Sequence, residues 1–362
     1  MKRNHSRRNK IRNHLKEWFK RNKRFLPWRT DTIPYKILLS EIMLQQTQVN
    51  QIKPYYDKFL RIFPTVEALA QSELEDVLMV WQGMGYYSRA SNLHKAAQLI
   101  VKDYDGKIPN TWEQLSNLPG FGPYTTSAIL SIAYNKPYPV IDGNVTRVIT
   151  RLFGIRDDIR LKNTKSVINR HAQELLDPKQ PGIFNEAIME LGATVCRPQS
   201  PKCTFCPINE LCIANNKNQT NIIPLKSRRG QRVSRMINFY ILKYEKSFLL
   251  VKRPQKGLLA GLWEFPASQI ISEGNNPGKL IFPEWMNIRE KPQKVWQPIK
   301  HTYTHFNATY HPYLFIINNR DFIPAGYEEH KWISLAEIAR LPIHRAMQKT
   351  VEKISSDLEI IA

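Results

Sequence analysis

The order of apolar and polar residues changes once along the chain. Up to about Asn221, apolar residues recur at helical spacing between charged ones, a pattern that predicts one helix after another. The first helix carries its apolar positions at Ile11, Leu15, Trp18 and Phe19. Later apolar clusters lie at 37–44, 77–81, 93–101, 128–133, 145–152 and 183–191, with Gly and Pro residues between them. This part of the chain is therefore predicted to be all-α.

A second pattern begins after a polar, basic stretch at 215–235. Its lack of periodicity predicts an interdomain linker. The residues beyond it are rich in aromatic and β-branched types, with the short turn 245–247 between two such runs. Strands are predicted at 237–244, 248–253 and 303–316, and two short helices at 335–340 and 346–354. This part is therefore predicted to be an α+β domain.

Charge adds an expectation about the partner. The 362-residue chain is long enough for two or three domains, and its net charge is +22, with 53 Lys and Arg against 31 Asp and Glu. Such an excess is typical of a protein that meets a polyanion. The excess of basic residues is densest in residues 1–24. A basic run is also typical of a solvated helix face, and an Arg-rich start that lacks acidic residues is typical of an organelle presequence. The helical pattern begins almost at once, which disfavours the presequence. No run of about 18 apolar residues occurs, so we expect no membrane-spanning helix.

The cysteines predict a metal site. All four lie within seventeen residues, at Cys196, Cys203, Cys206 and Cys212. A disulfide framework would spread its thiols through a short secreted chain, whereas this chain is long and has no apolar signal segment. The spacing C-x6-C-x2-C-x5-C contains one close pair, while tetrahedral zinc sites usually bring two, so the spacing favours a [4Fe-4S] cluster. Zinc, and cysteines that bind no metal, stay open as alternatives at this point.

A helix-hairpin-helix is predicted within 111–134. A short helix through Leu115 leads into Leu-Pro-Gly-Phe-Gly, and Pro123 follows at the first position of a new helix, where its missing N–H costs nothing. Gly120 and Gly122 let the backbone turn with N–H groups exposed at a helix N-terminus, an arrangement suited to a nucleic-acid phosphate. An ordinary tight turn between two helices has the same local sequence and is the alternative.

These features together carry a family resemblance. The hairpin, the Asp-Gly pair at 142–143 and the four-cysteine loop resemble the endonuclease III superfamily of base-excision DNA glycosylases. The stretches 39–49, 83–90, 140–145 and 258–266 are similar to its adenine DNA glycosylase branch, the MutY family, and the resemblance covers nearly the whole chain. It implies a multi-domain protein, with an all-α helix-hairpin-helix glycosylase domain that carries a [4Fe-4S] cluster loop, followed by a C-terminal α+β Nudix-like domain.

The resemblance also implies boundaries and an activity. The implied parts are an iron-sulfur helical subdomain at 1–28 and 144–222, a helical-barrel subdomain at 29–143, a linker at 223–235 and a Nudix-like lesion-recognition domain at 236–362. The implied activity is excision of adenine opposite 8-oxoguanine or guanine in double-stranded DNA. Two alternatives stay open: a thymine-mismatch or oxidised-pyrimidine glycosylase, and a noncatalytic iron-sulfur protein that binds nucleic acid. We expect a monomer, located in the cytoplasm with the nucleoid.

Two carboxylates are the candidates for the chemistry. On a helix, the residues three and four positions from Glu41 are mostly apolar, so we expect burial to raise the pKa of its carboxyl. A Glu that is partly protonated near neutral pH can donate the proton that a departing purine needs, and can act as a base afterwards. Asp142 lies at a helix N-cap position, so we expect its pKa to be low and its anion to stabilise the positive charge left on the sugar.

Position 124 separates two branches of the superfamily. Bifunctional relatives place a lysine there, whose amine attacks the sugar and leads to strand cleavage. This chain has Tyr124, which cannot form an imine. Resemblance and chemistry therefore both imply a monofunctional glycosylase, in which Tyr124 and Asn144 hydrogen-bond the reacting carboxylates or the sugar.

The resemblance supplies further site residues. Trp28, Arg29 and Glu190 match positions that line the adenine pocket. A second group matches stretches that contact DNA or wedge beside the base left behind when the target nucleotide is extruded. Its members are Gln46, Thr47, Gln48, Met84 and Tyr86. The glycines on both sides of Met84 favour an exposed turn for Tyr86 rather than a place in the core.

The second domain is expected to read 8-oxoguanine. It is not expected to be a hydrolase, because the sequence lacks the Gly-x5-Glu and Arg-Glu-x2-Glu-Glu signature that would hold magnesium. Tyr303, Thr304 and His305 match the Phe-Ser-His loop of the family. Two of the three residues differ, although each keeps aromatic or hydroxyl character.

Overall fold

The computed structural model describes residues 2–227, 232–270, 291–321, 327 and 329–358. Backbone contacts divide the chain into two compact units. Unit 1 comprises Met1–Gln71 and Lys95–Arg229, and unit 2 comprises Ser72–His94 and Gly230–Ala362. The predicted order, an all-α part followed by an α+β part, is confirmed. Residues 72–94, however, group with the later part of the chain.

Helices account for the regular structure of the first 220 residues. In chain order they are α1 (Lys2–Asn22), α2 (Pro34–Leu44), α3 (Val49–Ile62), α4 (Val66–Gln71), α5 (Leu74–Trp81), α6 (Ser88–Tyr104), α7 (Trp112–Ser116), α8 (Pro123–Ala128), α9 (Gly143–Phe153), α10 (Lys162–Leu175), α11 (Pro181–Thr194) and α12 (Ile213–Asn216). Helix α8 continues through π-helical turns at Ile129–Ala133. Helix α5 belongs to unit 2, and α6 contributes residues to both units.

The core of unit 1 is built around α9 and α11. The predicted apolar face of α1 is confirmed, since Ile11, Leu15 and Phe19 are buried there against residues of α9, α10 and α11. Burial of one helical face against its neighbours supplies most of the stability of such helices. This packing fixes the N-terminal end of α9, where Asp142 lies.

The predicted helix-hairpin-helix is confirmed. Helix α7 is capped by Thr111, whose hydroxyl accepts from the backbone N–H of Gln114, and α8 begins with Pro123 at its first position. Gly120 has φ +84°, a left-handed conformation that glycine adopts without strain. Gly122 has φ −78°, a conformation open to any residue, so the backbone angles of the turn call for glycine at Gly120 but not at Gly122. An added Cβ at Gly122 meets no atom within 4 Å, which leaves its backbone open on that side.

Unit 2 is organised around one mixed sheet. Its strands are β1 (Val233–Tyr244), β2 (Ser247–Lys252), β3 (Trp263–Glu264), β4 (Ala267–Ile270), β5 (Lys294–Val295), β6 (Ile299–Thr302), β7 (Phe306–Ile316) and β8 (His330–Ile333). Strands β1 and β7 run parallel, in register from Val233 with Phe306 to Lys243 with Ile316. Strands β1 and β2 form a hairpin whose turn is Glu245–Lys246, with Glu245 at φ +50°.

Two helices follow the sheet, α13 (Leu335–Ile338) and α14 (Arg345–Leu358). Ser334 and Glu337 form a capping box at the start of α13. One face of the sheet packs against residues of α14 such as Met347 and Ile354. The predicted linker is shorter than expected at both ends, because Ile223 is 1% exposed and β1 begins at Val233. Its residues 228–231 lie outside the described residues. Within the described part of the chain, no helix is both long and apolar enough to cross a membrane.

Candidate active site

Unit 1 contains a cavity of about 1100 Å³ that gathers most of the predicted site residues. Its walls come from α2 and the loop after it, the hairpin, the start of α9, and α11. The predicted residues that line it are Trp28, Arg29, Glu41, Gln46, Thr47, Gln48, Gly120, Gly122, Tyr124, Asp142, Asn144 and Glu190. Residues as far apart in the sequence as Trp28 and Glu190 therefore share one pocket.

Glu41 lies in the middle of α2, a helix that is apolar nearly all round. The expected rise of its pKa is confirmed: burial raises the pKa of this carboxyl to about 7. The hydroxyl of Tyr124 donates to Glu41 Oε2 at 2.7 Å, which favours the anion and limits the rise. The distance confirms the expected hydrogen bond between Tyr124 and this carboxyl, while the catalytic role of the carboxyl stays a prediction.

Asp142 is the N-cap of α9, as expected. Its Oδ1 accepts from the backbone N–H of Val145 at 2.7 Å, and its Oδ2 accepts from the side-chain amide of Asn144 at 2.8 Å. The expectation of a low pKa is wrong, because burial raises the pKa of Asp142 and outweighs the hydrogen bonds that lower it. These bonds and the nearby Arg147 still favour the anion of Asp142 more than the single bond from Tyr124 favours that of Glu41.

Arg147 connects the Asp142 side of the pocket to the cysteine loop. Its Nη2 donates to Asn144 Oδ1 and to the carbonyl of Gly192, both at 2.8 Å, and its Nε donates to the carbonyl of Cys196 at 2.7 Å. Because Asn144 Oδ1 accepts from Arg147, its amide nitrogen is turned toward Asp142. Gly192 lets α11 approach this closely, since a Cβ there would lie 2.6 Å from that of Asn144. The sequence pattern did not single out Arg147.

The predicted base-pocket residues form a charged network. Glu190 Oε1 accepts from Arg24 Nε at 2.6 Å, Glu190 Oε2 accepts from Arg24 Nη2 at 2.9 Å, and Arg29 Nη1 lies 3.0 Å from the same oxygen. The Glu190 side chain is fully buried, and its charge is balanced by its ion pairs with the two arginines. Arg29 Nε also donates to Glu186 at 2.9 Å, and the Glu186 side chain keeps 21% of its surface exposed.

Glu186 is a site residue that the sequence reasoning missed. It lines the cavity, and burial raises the pKa of its carboxyl. The sequence could have revealed Glu186 by its spacing, because it lies one helical turn before Glu190 and both carboxylates are therefore on the same face of α11.

The predicted DNA-contact residues of unit 1 lie at the exposed rim of the cavity. Gln46, with φ +57°, and Gln48 are exposed in the loop between α2 and α3. The preceding Gln45 donates its side-chain amide to Thr125 Oγ1 at 3.0 Å, which ties this loop to the hairpin. The polar rim and the open backbone at Gly122 thus lie on the same cavity.

The predicted contact residues of unit 2 fall into two groups. Tyr86 is 40% exposed, and its hydroxyl shares a hydrogen bond of 2.5 Å with that of Thr304. His305 is exposed, whereas Tyr303 is partly buried, with its hydroxyl 2.6 Å from that of Tyr310. Met84 is only 4% exposed, so the expectation of a contact from its side chain is wrong. Its apolar side chain is an anchor of the turn that presents Tyr86.

The four cysteines lie in one loop at the end of unit 1, and none forms a disulfide. Burial, together with the neighbouring thiols of Cys196, Cys212 and Cys203, raises the pKa of Cys206 to about 12. Arg151 Nη1 lies 3.4 Å from Cys196 Sγ. Among the described residues, no group of His, Cys, Asp or Glu side chains is arranged to hold a metal ion. The loop thus supplies four free thiols, with the buried guanidinium of Arg151 beside that of Cys196.

Most of the described basic side chains of α1 are used within unit 1. Arg12 donates to the carbonyls of Leu175 and Glu174 at 3.0 and 3.1 Å, and Arg8 pairs with Glu174 at 2.6 Å. Arg7 donates to the carbonyl of Leu211 at 2.7 Å. Cations at the C-terminal end of α10 compensate its dipole. The basic run is thus a packing surface for α10, and the described contacts do not single it out as a polyanion site.

The hairpin, the carboxylate pocket and the two-unit architecture define a base-excision DNA repair protein. Residues 39–178 match the family of HhH-GPD superfamily base excision DNA repair proteins, and residues 238–353 match the NUDIX domain family. The chain is 32% identical over 422 residues to the adenine DNA glycosylase of Schizosaccharomyces pombe, which covers 96% of this chain and 91% of that protein. It is also 32% identical over 345 residues to the adenine DNA glycosylase of Buchnera aphidicola from Acyrthosiphon pisum, covering 94% and 96%. The chain belongs to the adenine DNA glycosylase family.

A solved structure agrees with the fold of the helical part. A thermostable thymine-DNA glycosylase superposes with a TM-score of 0.54 at 28% identity, covering 59% of this chain and 99% of that one. The family resemblance and the fold class implied by the sequence are therefore confirmed. The roles of the individual site residues stay predictions.

Proposed function

We propose that this protein is a monofunctional N-glycosylase that removes adenine paired with 8-oxoguanine or guanine in duplex DNA. The observation that carries the proposal is the presence of Glu41 and Asp142 in one cavity, with Tyr124 bonded to Glu41. Among the described residues that line this cavity none is a lysine, so no lysine amine is available there for an imine. Membership of the family supports adenine as the base.

Glu41 acts first as the acid. A pKa of about 7 keeps a large share of its carboxyl protonated near neutral pH. Protonation of an adenine ring nitrogen allows the base to leave as a neutral molecule instead of an anion. The Glu41 anion then accepts a proton from the water that attacks the sugar, so the two steps restore the starting state. Tyr124 limits the directions in which the carboxyl can point.

Asp142 acts as the anion beside the sugar. Departure of the base leaves positive charge on the sugar ring, which a carboxylate can stabilise or trap covalently. Its hydrogen bonds from Val145 and Asn144 hold it in one orientation. Burial raises the pKa of both carboxyls, and Asp142 has more hydrogen-bond donors that favour its anion than Glu41 has.

The extruded base enters the same cavity. A volume of about 1100 Å³ has room for a purine nucleotide. Trp28 offers an aromatic face, while Arg29 and Glu186 offer a donor and an acceptor near the edge of a base. Glu190 keeps Arg24 and Arg29 in place.

We propose further that Cys196, Cys203, Cys206 and Cys212 hold a [4Fe-4S] cluster. Four thiols in one loop are the donor set that such a cluster takes, and the guanidinium of Arg151 lies 3.4 Å from the sulfur of Cys196. When bound, a cluster of this kind can exchange an electron. Protein from iron-replete cells should contain about four iron and about four sulfide per chain. Stoichiometric zinc in the same preparation would contradict the proposal.

Unit 2 is proposed to read the base opposite adenine through Tyr303, Thr304 and His305. The hydroxyl of Thr304 and the exposed ring of His305 are suited to hydrogen bonds with a base edge. The sequence lacks the magnesium-binding signature of a Nudix hydrolase, so the unit is proposed to bind without cleaving.

The proposal is tested with duplexes that differ only at one base pair. Single-turnover reactions with adenine opposite 8-oxoguanine or guanine should release adenine and leave the strand intact until hot alkali is added. Release of thymine from a thymine-guanine duplex would move the protein to the thymine-mismatch branch, to which its helical part is also similar. Strand cleavage without alkali, with an adduct trapped by borohydride, would contradict the monofunctional assignment.

A further inference from the structure

The turn that carries Tyr86 is strained and closely tied down. Gly83, Gly85 and Tyr86 have φ values of +97°, +73° and +49°, so most of the turn between α5 and α6 is in the left-handed region. For a tyrosine this conformation is unfavourable and persists only where the surroundings enforce it. Something in unit 2 must therefore hold the Tyr86 backbone.

Part of this constraint comes from within the turn. The indole N–H of Trp81 and the guanidinium of Arg89 both donate to the carbonyl of Gly85 at 3.1 Å. The buried side chain of Met84 anchors the turn on its other side. These contacts set the local shape of the turn.

A second constraint comes from the segment before α14. The side-chain carbonyl of Gln82 accepts from the backbone N–H of Ile343 at 3.2 Å. The hydroxyl of Tyr87 donates to the backbone carbonyl of the same Ile343 at 3.3 Å. Both polar groups of one buried residue are thus held by the two residues that flank the turn 83–86. We name this pair of bonds the Ile343 clamp.

The clamp lies beside a third connection within unit 2. The indole N–H of Trp263, on β3, donates to the carboxylate of Glu75 on α5. Trp263 also forms a parallel bridge with Ile343. Helix α5 and the turn after it are therefore fixed to the sheet that also carries the 303–305 loop.

The consequence concerns Tyr86 and Thr304. Their hydroxyls are 2.5 Å apart, although the two residues are 218 positions apart in the chain. This short distance requires the turn to be set accurately against the 303–305 loop. Resting on the function proposed above, we propose that Gln82 and Tyr87 are positioning residues that couple the Tyr86 wedge to lesion reading through the Ile343 clamp.

Tyr87→Phe and Gln82→Met are the variants that test the coupling. Each removes one hydrogen bond to Ile343 and keeps the volume of the side chain, and Tyr87→Phe also removes the hydroxyl that accepts from the backbone N–H of Gly83 at 3.4 Å. Tyr104→Phe is the matched control, because it removes a tyrosine hydroxyl from the far end of α6. The rate of adenine excision is compared opposite 8-oxoguanine and opposite guanine, and 2-aminopurine beside the lesion reports insertion of the wedge by its fluorescence.

We expect the preference for 8-oxoguanine to fall about three- to tenfold in Gln82→Met, as the loss of one hydrogen bond predicts, and at least as far in Tyr87→Phe. Excision opposite guanine should stay within about twofold of the wild type, and the 2-aminopurine signal on binding should decrease. The control should match the wild type in every measurement. Thermal unfolding of each variant shows whether it is folded. If Tyr87→Phe does not fold, the result for Gln82→Met tests the proposal.

Two outcomes would overturn the inference. One is an unchanged preference and fluorescence in both folded variants. The other is an equal loss of rate opposite both bases, which is the result expected of residues that only support the fold. If the wild type releases no adenine from any duplex, the proposed function fails, while the fluorescence change still tests whether the clamp sets the wedge.

Discussion

Glu41 is buried and Asp142 is half-buried, and they differ mainly in the groups that contact them. Glu41 receives one hydrogen bond, from Tyr124, whereas Asp142 receives bonds from Val145 and Asn144 and faces Arg147. Burial raises both pKa values, and the additional donors favour the anion of Asp142. One residue is thereby suited to give a proton and the other to remain charged.

This difference predicts a particular response to pH. Because Glu41 must be protonated to donate, excision should decline as pH rises through its pKa of about 7. Tyr124→Phe removes a bond that lowers this pKa, so the decline should move to higher pH by about 0.5–1 unit. Single-turnover rates from about pH 5 to about pH 9 measure the midpoint. A midpoint that stays in place or moves to lower pH would show that the Tyr124 bond does not tune the acid.

Glu190 and Glu186 allow a matched comparison on α11. Glu190→Gln leaves Arg24 and Arg29 without a buried partner charge and should lower the free energy of unfolding by about 2–4 kcal/mol. Glu186→Gln should cost about 1 kcal/mol or less, because that side chain is partly exposed, and should weaken adenine binding instead. Urea unfolding and single-turnover saturation curves measure the two effects. The reverse order of stabilities would contradict the roles assigned to these carboxylates.

At the scale of elements, α1 shows how a basic surface can serve the fold. Arg12→Met removes two bonds to the carbonyl end of α10 and should lower the free energy of unfolding by about 1–2 kcal/mol. Arg21→Met is the control, because Arg21 is exposed and its ion pair with Glu17 is long, at 3.8 Å. This substitution should lower the free energy of unfolding by less than about 0.5 kcal/mol.

The same variants test the role of this surface in DNA binding. Neither should change the salt dependence of duplex affinity, whereas loss of a phosphate contact reduces its slope by about one. If Arg12→Met has wild-type stability and a reduced salt dependence of duplex affinity, then α1 binds DNA phosphates and the role assigned to it here is wrong.

The elements differ in how far the sequence predicts them. The long helices and strands β1, β2 and β7 repeat an apolar pattern over several turns or residue pairs, so periodicity is sufficient to find them. Strands β3 and β5 are two residues long and carry no pattern, and they form only because neighbouring strands pair with them. Capping by Asp142 was predictable from its local sequence, but its raised pKa was not, because burial depends on residues distant in the chain.

At the scale of the whole molecule, residues 72–94 and the C-terminal part form one compact unit. The family resemblance places these residues in the helical-barrel subdomain at 29–143, and local sequence cannot reveal the bonds of Gln82 to Ile343 and of Glu75 to Trp263. A truncation near Asn221 would remove these partners, and would also remove Ile223, whose carbonyl accepts from Arg151. Lesion reading is therefore better tested in the full-length chain.

Thr304→Ala combined with His305→Ala is the appropriate full-length variant. Each lost contact to a base edge costs about 1–3 kcal/mol, so the preference for 8-oxoguanine over guanine should fall about tenfold or more. Both residues lie outside the hydrophobic core of unit 2, so thermal unfolding should be nearly unchanged. Competing single-turnover rates on the two duplexes give the ratio. An unchanged ratio would place discrimination around Gln46 and Thr47.

The central claim is that Glu41 delivers the proton that releases adenine. Glu41→Gln keeps the shape of the side chain and the contact with Tyr124, and removes the acid. With a duplex that contains adenine opposite 8-oxoguanine, single-turnover excision by this variant should be undetectable, while fluorescence anisotropy shows binding within a few-fold of the wild type. Adenine release at the wild-type rate by Glu41→Gln would contradict the account.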